Sequence, residues 1–472
     1  MSTSDRSPRR SSAGRTGLEG PLSWSADPQP PVAPPGAWSF PEPVLSTLGN
    51  GIELICFDLP GQHVVSAHLV LDTPLNGEYR ALEGVATIAA RTLDEGTRSH
   101  PGEEFAELLE TEGAGFGIEV SLSGLQAVLD VPASHLERAF ELFSEAVTQP
   151  EISDADVARH VQIRLAQIEQ AYANSAQLAS MAFRESVFDP ASRASRMSGG
   201  EAESVARVDG AAARRFHAEQ VGPAGASLVL AGDFGGVDPQ ELAERWFGGW
   251  SNDAQVRTPQ ERTSPAPQRH VVLHRPGAVQ ADVRYGGYGI DRTDPRWPAA
   301  SVATYAMGGA FLSRLNAVLR EDKGYTYGVR MSLTPLRSAG SFAIGGSFRT
   351  DVVADAVRLA AKIADVSERP FTAAEVVDAV TYSTGISPLR YATADGVADQ
   401  AAVNRLVGLG DDYVTRNLAE LREVTPEAAT EAYASLVDVD ALTLVVVGDA
   451  DVIADPLRAL GFDDLEVVRT EA

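Results

Sequence analysis

The chain is built twice. Two stretches of similar size, roughly residues 38–250 and 269–472, carry the same kinds of element in the same order. Each opens with strand patterns: "GIELICF" and "HVVSAHLVLD" in the first, "RHVVLHRP" and "VQADVRYGGYGI" in the second. A helical pattern follows, "LEGVATIAARTLDEG" against "WPAASVATYAMGGAFLSRLNAVLRE". Next come a strand, "GLQAVLDVP" or "GSFAIGGSF", and a helix with an apolar stripe. In the first half that stripe is Leu136, Phe140, Phe143 and Val147, on the period of one helix face. A break, "TQPEISDADV" or "SERPFTAAEV", starts another long helix, and each half closes with an apolar strand ending in Gly-Asp, "ASLVLAGDF" and "ALTLVVVGDA". Self-similarity on this scale constrains the fold more than any single motif, because one way of burying a sheet has to serve both halves. The order predicts an α+β chain of two tandem homologous domains. Each is a mostly antiparallel sheet covered by helices, and together they make a clam-like, two-lobed molecule.

Two stretches fall outside the repeat. "SNDAQVRTPQERTSPAPQ", 251–268, is polar, contains proline and has no hydrophobic period, so it reads as a linker. Residues 1–37 lead into the proline-dense "DPQPPVAPPGAWSFPEP" and read as a disordered or extended leader. No apolar segment follows Arg9-Arg10, so this leader does not read as a secretory signal.

Composition narrows the function classes. Of 472 residues, 44% are hydrophobic, a globular composition long enough for two cores. The formal net charge of -26 argues against nucleic acid, which needs Lys and Arg to displace counterions. No apolar run approaches the roughly 18 residues that a membrane span needs. Cys56 is the only cysteine, so no intrachain disulfide forms, and a reducing, cytoplasmic setting is the expectation. Cys56 sits in a strand pattern and reads as a core residue.

Familiar catalytic signatures are absent. The sequence has no G-x-S-x-G elbow and no G-x-x-x-x-G-K-[ST] loop. "GAGFG", 113–117, has the wrong spacing for a dinucleotide fingerprint and reads as a loop or bulge. The eight histidines include no pair four residues apart on a helix. His270 and His274 share a strand, where four residues span about 13 Å, too far for two ligands of one ion. The sequence therefore displays no zinc site of its own.

One stretch carries polar chemistry of another kind, "LSRLNAVLREDKGYTYGVRMSL", 312–333. Leu312, Leu315 and Leu319 predict a helix, and Tyr325 to Leu333 predict a strand. The Asp322-Lys323-Gly324 turn lies between them, flanked by the Arg320 guanidinium and the Tyr327 phenol.

With its two α+β halves and the run "GGAFLSRLNAVLREDKGYTYGV", the chain resembles the pitrilysin and insulinase family of zinc peptidases. The match is to the two-domain branch that includes mitochondrial processing peptidase, and it covers about residues 38–472. The resemblance implies an H-x-x-E-H motif on the first helix of the first half, where two histidines hold zinc and the glutamate activates a bound water. Anchored on Gly96-Thr97, those five positions fall on Thr87-Ile88-Ala89-Ala90-Arg91. Leu82, Val85, Ala89 and Leu93 keep an apolar face, leaving Thr87, Ala90 and Arg91 as the expected exposed triplet. The third ligand slot, on "DVARHVQIRLAQIEQAYANSAQLA", falls on Gln167, and a register one residue either way puts Ala166 or Ile168 there. The supporting slot seven residues earlier falls on His160. Thr87 is a poor ligand, Ala90 takes no proton, and Arg91 puts a fixed positive charge where a dication would sit.

The second-half positions are kept. By the resemblance, Arg320 and Tyr327 bind the substrate backbone and the carbonyl under attack, and a guanidinium fork and a phenol suit that task. Gly308 and Gly309 correspond to the glycine-rich segment that contacts substrate in non-catalytic partners of heteromeric relatives. The expectation is a non-catalytic, substrate-binding subunit of a heteromeric zinc peptidase. It holds no cofactor itself, and zinc sits in a homologous H-x-x-E-H-bearing partner that acts on peptides. The other expectation is a peptide-binding or scaffold protein of the same fold with no part in hydrolysis.

Overall fold

The structure, a computed structural model, describes residues 38–469. The expected leader, 1–37, lies outside the described residues. Two six-stranded sheets carry the architecture. The first contains β1 (Val44–Thr47), β2 (Glu53–Asp58), β3 (Val64–Leu71), β4 (Gly115–Ser121), β5 (Gly124–Pro132) and β6 (Ser227–Gly232), in the order β1-β2-β6-β3-β5-β4. The second contains β7 (His270–His274), β8 (Gln280–Gly289), β9 (Val329–Pro335), β10 (Gly340–Arg349), β11 (Thr443–Gly448) and β12 (Glu466–Val468), in the order β12-β7-β11-β8-β10-β9. Five strands match one for one: β2-β6-β3-β5-β4 against β7-β11-β8-β10-β9. In each set the first pair is parallel and the rest are antiparallel. The repeat read from the sequence is thus a repeat of topology.

The central strands explain why this order was readable. Every residue of β6, "SLVLAG", and of β11, "TLVVVG", is buried. A strand covered on both faces has no solvent side, so its pattern is a continuous apolar run. The edge strand β4 alternates only weakly and opens on Gly115-Phe116-Gly117. That corrects the reading of "GAGFG" as a loop or bulge: its last three residues are ladder, pairing with β5.

Helices cross between the halves. The Ser175–Val187 helix, from the first half, packs on β8 and β11 of the second sheet. The Ala394–Leu406 helix, from the second half, packs on β3 and β6 of the first. Phe183, Val187 and Phe188 form a buried cluster with Val445 of β11. The 251–268 segment contains no helix or longer strand, and its end is tied down. Pro265 bridges to Phe188, and the Ala266 N–H donates to the Val187 carbonyl at 2.9 Å. Residues from Ser39 onward consequently form a single compact unit.

The second-half helix expected over 297–321 is broken. A helix over Trp297–Thr304 widens into a π-helical turn over Tyr305–Gly309. A short loop follows, then a helical turn over Arg314–Asn316 and a second π-helical turn over Ala317–Asp322. Leu312 lies in the loop and is 74% exposed, while Leu315 and Leu319 are fully buried. The leucine spacing matched a helical period by coincidence at its first member. The following strand begins at Val329, not at Tyr325.

Candidate functional site

The first-half candidate positions lie on a short helix, Val85–Ala90. Its start is strongly held. The Glu78 carboxylate accepts from the Gly84 and Ala86 N–H groups at 2.9 and 3.0 Å, satisfying donors that a helix N-terminus leaves free. Arg193 donates to the same carboxylate at 2.9 and 3.2 Å, and both side chains are buried. Gly84 takes φ 101, and a Cβ there would stand 2.7 Å from the Gly199 carbonyl oxygen, so glycine is required. The scaffold of a rigid site is present.

Its chemistry is not. Thr87 is half-buried, Arg91 is exposed, and Ala90 is buried at 4%, which corrects the expectation of an exposed triplet. Ala90 closes the core side of this short helix together with Ala86 and Ala89. The helix packs against the long Asp154–Ala173 helix, which carries half-buried Gln167 and buried His160. His160 hydrogen-bonds Glu95 at 2.7 Å and so ties the two segments together. One turn before Gln167, Arg164 donates to the Gly199 carbonyl at 2.9 Å. Burial, and then the charge of Arg91, pushes the Arg164 guanidinium below its ordinary range. Two guanidinium groups therefore stand within electrostatic reach where the resemblance implies a dication. With no imidazole or carboxylate at Thr87, Ala90, Arg91 or Gln167, these residues do not fit zinc.

One grouping of metal-ligating side chains occurs elsewhere among the described residues: His274, Asp449 and Asp451. All three are committed to the start of the Ala450–Arg458 helix. His274 Nδ1 accepts the Ala450 N–H at 3.1 Å, Asp449 accepts the Asp451 N–H at 3.1 Å, and Asp451 pairs with Arg469. Cys56 is half-buried on β2, its thiol pushed up to about 12 by burial and by Asp238, so it is a poor nucleophile near neutral pH.

The second-half candidates sit at a well-anchored turn. Gly324 turns the chain at φ 60. The Asn316 side chain accepts the Val329 N–H at 3.0 Å, and the Thr326 hydroxyl donates to the Ser347 carbonyl at 2.7 Å. The Tyr325 hydroxyl donates to Asp355 at 2.8 Å. With its neighbours fixed, Tyr327 projects outward and is 95% exposed. Arg320 is held by its neighbours. Its guanidinium lies 3.6 Å from the centre of the Phe311 ring and donates to Glu321 at 2.8 Å. The structure places both residues at one turn, the guanidinium held by Phe311 and Glu321 and the phenol in solvent.

Gly308 has a packing role. A Cβ there would stand 2.4 Å from the Met331 nitrogen, so glycine lets the π-helical turn lie directly on β9. At Gly309 a Cβ would meet the Tyr305 ring, which is itself stacked on Tyr382 at 4.6 Å. Sequence reasoning passed over Arg314, in the same run. Arg314 is buried and donates to both Glu375 oxygens at 2.6 and 2.7 Å. It also donates to the Arg369 and Pro370 carbonyls at 2.6 and 2.8 Å, and it sits over the Phe371 ring. It fixes the helical turn that leads into the π-helical turn carrying Arg320. The "SERPFTAAEV" break was visible as a helix start, and the carbonyls just before it are the signal that Arg314 reads.

Comparison with known proteins decides the family. The insulinase (peptidase family M16) model matches residues 56–194, and the peptidase M16 inactive domain model matches residues 207–382. The chain belongs to the insulinase family. An uncharacterised zinc protease of Streptomyces coelicolor is 22% identical over 398 residues, covering 81% of this chain and 84% of that one. The non-peptidase homologue YmxG of Helicobacter pylori is 22% identical over 376 residues, covering 78% and 84%. The crystal structure of a peptidase M16 inactive domain from Pseudomonas fluorescens superposes with a TM-score of 0.78 at 24% identity, covering 86% of this chain and 98% of that one. As an insulinase-family member this chain keeps both halves of the fold, while its motif helix lacks the zinc-binding side chains. No helix among the described residues is long and apolar enough to cross a membrane.

Proposed function

We propose that this chain is the non-catalytic, substrate-binding subunit of a heteromeric zinc metallopeptidase. One observation carries the reading. The metal and base positions hold Thr87, Ala90, Arg91 and Gln167, while Tyr327 presents a fully exposed phenol on a rigid turn. A homologous partner bearing H-x-x-E-H would supply zinc and the general base, and the pair would work in the cytoplasm on peptides or unfolded segments. Tyr327 would donate to a peptide oxygen, and Arg320 would exchange Glu321 for a peptide carbonyl while Phe311 keeps its guanidinium flat. Gly308 would support that rim through β9, with Gly309 beside it.

The engaged posture of Arg320 favours a second reading, a peptide-binding or scaffold protein without a part in hydrolysis. One experiment separates the two. The chain, a candidate H-x-x-E-H partner and their mixture are assayed on unfolded peptides. Cleavage by the mixture alone, lowered at least tenfold by Tyr327→Phe or Arg320→Ala, is expected. Equal cleavage by the partner alone, unchanged by either variant in the mixture, rejects the subunit reading.

A further inference from the structure

The inner face of the second sheet bears a cationic row that none of the sites above uses. On β8, β10 and β9 the residues Arg284, Gly345 and Arg330 stand abreast, each arginine directly opposite the glycine. The missing side chain at the centre leaves room. A Cβ at 345 would meet Arg284 Cδ at 3.3 Å and Nη1 at 3.4 Å, so the Arg284 side chain lies across the glycine toward β9. Both arginines line a cavity of about 450 Å³ between this sheet and the Ser175–Val187 helix, and Arg184 of that helix lines it as well.

Charge in the cavity is unbalanced. Its lining has three guanidinium groups and one carboxylate, Asp282. Asp282 interacts first with the Arg284 charge and then with the Ser347 hydroxyl, so it offsets one of the three positive charges. None of the three arginines takes part in a salt bridge among the described residues, in a chain of formal net charge -26. Arg284 donates to Ser180 and to the Ala176 carbonyl, and Arg184 to the Arg196 carbonyl, so neutral partners only hold them in place. Burial pushes both Arg184 and Arg284 below their ordinary range. Arg284 has Asp282 beside it and Arg330 is exposed, so the lining keeps a net positive excess of two charges, to which an incoming anion is attracted.

The far end of the cavity carries aromatic and aliphatic side chains beside the Ser341 and Thr334 hydroxyls. Four residues along β10 from Gly345, Ser341 is abreast of Tyr288, whose ring packs edge-on against Phe188 at 5.7 Å. Phe183, Phe188 and Leu336 close this end. Four strand residues span about 13 Å, the length of an extended peptide of about four residues.

We propose that the Arg284–Gly345–Arg330 row binds a peptide carboxylate, with an apolar side chain of the same peptide seated three or four residues away against Phe188. The Arg284 guanidinium, lying over Gly345, and the Arg330 guanidinium on the neighbouring strand offer N–H donors to the two oxygens of a carboxylate. This rests on the reading that the chain binds peptides, and it is independent of any partner's catalysis. It also gives an acidic protein a preference for an acidic group, against the trend of its overall charge.

Calorimetric titration of the intact chain tests it with three peptides: acetyl-Phe-Gly-Ala-Ala as the free acid, the same peptide as its amide, and acetyl-Phe-Gly-Ala-Glu amide. At least one of the two carboxylate-bearing peptides should bind about tenfold more tightly than the neutral amide, and which one does so identifies a terminal or a side-chain carboxylate. Arg330→Ala, at an exposed position, should abolish that difference and leave the neutral amide unaffected. Gly345→Val, which displaces Arg284, should do the same. Equal affinity for all three peptides, or a preference that survives both variants, overturns the proposal. If that result accompanies Arg320-dependent cleavage by the mixed subunits, the subunit reading stands and only this site is lost. If none of the peptides binds and the mixture shows no such cleavage, both readings fall.

Discussion

At Glu375 burial pushes the carboxyl up, but the Arg314 fork and the N–H and hydroxyl of Thr372 outweigh it and hold the group at about 2. A carboxylate depressed in the folded state adds stability that is fully present above its unfolded pKa and is lost as pH falls through the folded one. The window therefore runs from about pH 5 down to about pH 2. Urea midpoints of the intact chain should fall through that window, and Glu375→Gln should flatten the fall while lowering stability at pH 7. Glu375→Ala at neutral pH should cost about 3 kcal/mol, because it strands the buried Arg314 charge. Parallel acid limbs for the two proteins would show that the pair is not what titrates. The emptied slots make a residue-scale prediction of their own. With Thr87, Ala90, Arg91 and Gln167 in place, the purified chain should carry substoichiometric zinc by mass spectrometry, and EDTA should leave its thermal midpoint unmoved. Stoichiometric, chelator-sensitive zinc would reject the assignment of those slots. Their assignment rests on the family resemblance, with Gly96-Thr97 anchoring Thr87, Ala90 and Arg91 and a register of one residue either way left open at Gln167. The role of Arg314 was not legible in the sequence, since it depends on two backbone carbonyls more than fifty residues away in sequence.

At the scale of elements, the π-helical turn over Tyr305–Gly309 depends on Gly308 lying against β9. Gly308→Ala removes a residue unfavourable in a helix by about 1 kcal/mol, so on propensity alone it should stabilise. The Cβ would stand 2.4 Å from the backbone nitrogen of Met331, and backbone cannot step aside as a flexible side chain can. Overpacking should win, with a net loss of about 1–3 kcal/mol in chemical denaturation. A more stable Gly308→Ala protein would mean that the contact is not tight in solution. The same segment marks where sequence reading gave out. The sheets were legible because their central strands are unbroken apolar runs and their repeat fixes the order. The 297–321 helix was misread because two glycines and a chance leucine spacing fit a single helix as well as a broken one. Ala90 was misplaced for a related reason: a six-residue helix is too short for periodicity to say which side faces the core.

At the scale of the whole molecule, apolar stripes reveal that a helix is covered, but not by which sheet. The exchange of the Ser175–Val187 and Ala394–Leu406 helices was therefore invisible in the sequence, and it bears on how the two halves hold together. Val397, Ala398, Ala401, Ala402 and Leu406 are buried on the first sheet's side, and Phe183, Val187 and Phe188 on the second's. A polar tie joins the same surfaces, with Gln126 of β5 donating to Asp399 at 3.2 Å. The larger of these side chains bury on the order of 10 kcal/mol of hydrophobic free energy at 1.5–3 kcal/mol each. That is comparable with the total stability of an ordinary domain, about 5–15 kcal/mol. Neither half should then survive alone. Residues 38–268 and 269–472 expressed separately should be aggregated or bind hydrophobic dyes, because each has lost the cover on one sheet face. Expressed together they should copurify as a one-to-one pair, and the intact chain should unfold in a single calorimetric transition. A soluble, monomeric half with its own sharp unfolding transition would show that the exchanged helices decorate two self-sufficient domains. The cooperative outcome instead makes the exchanged helices the rigid wall between the halves, and it gives the cavity above Arg284 and Arg330 a floor from one half and a side from the other.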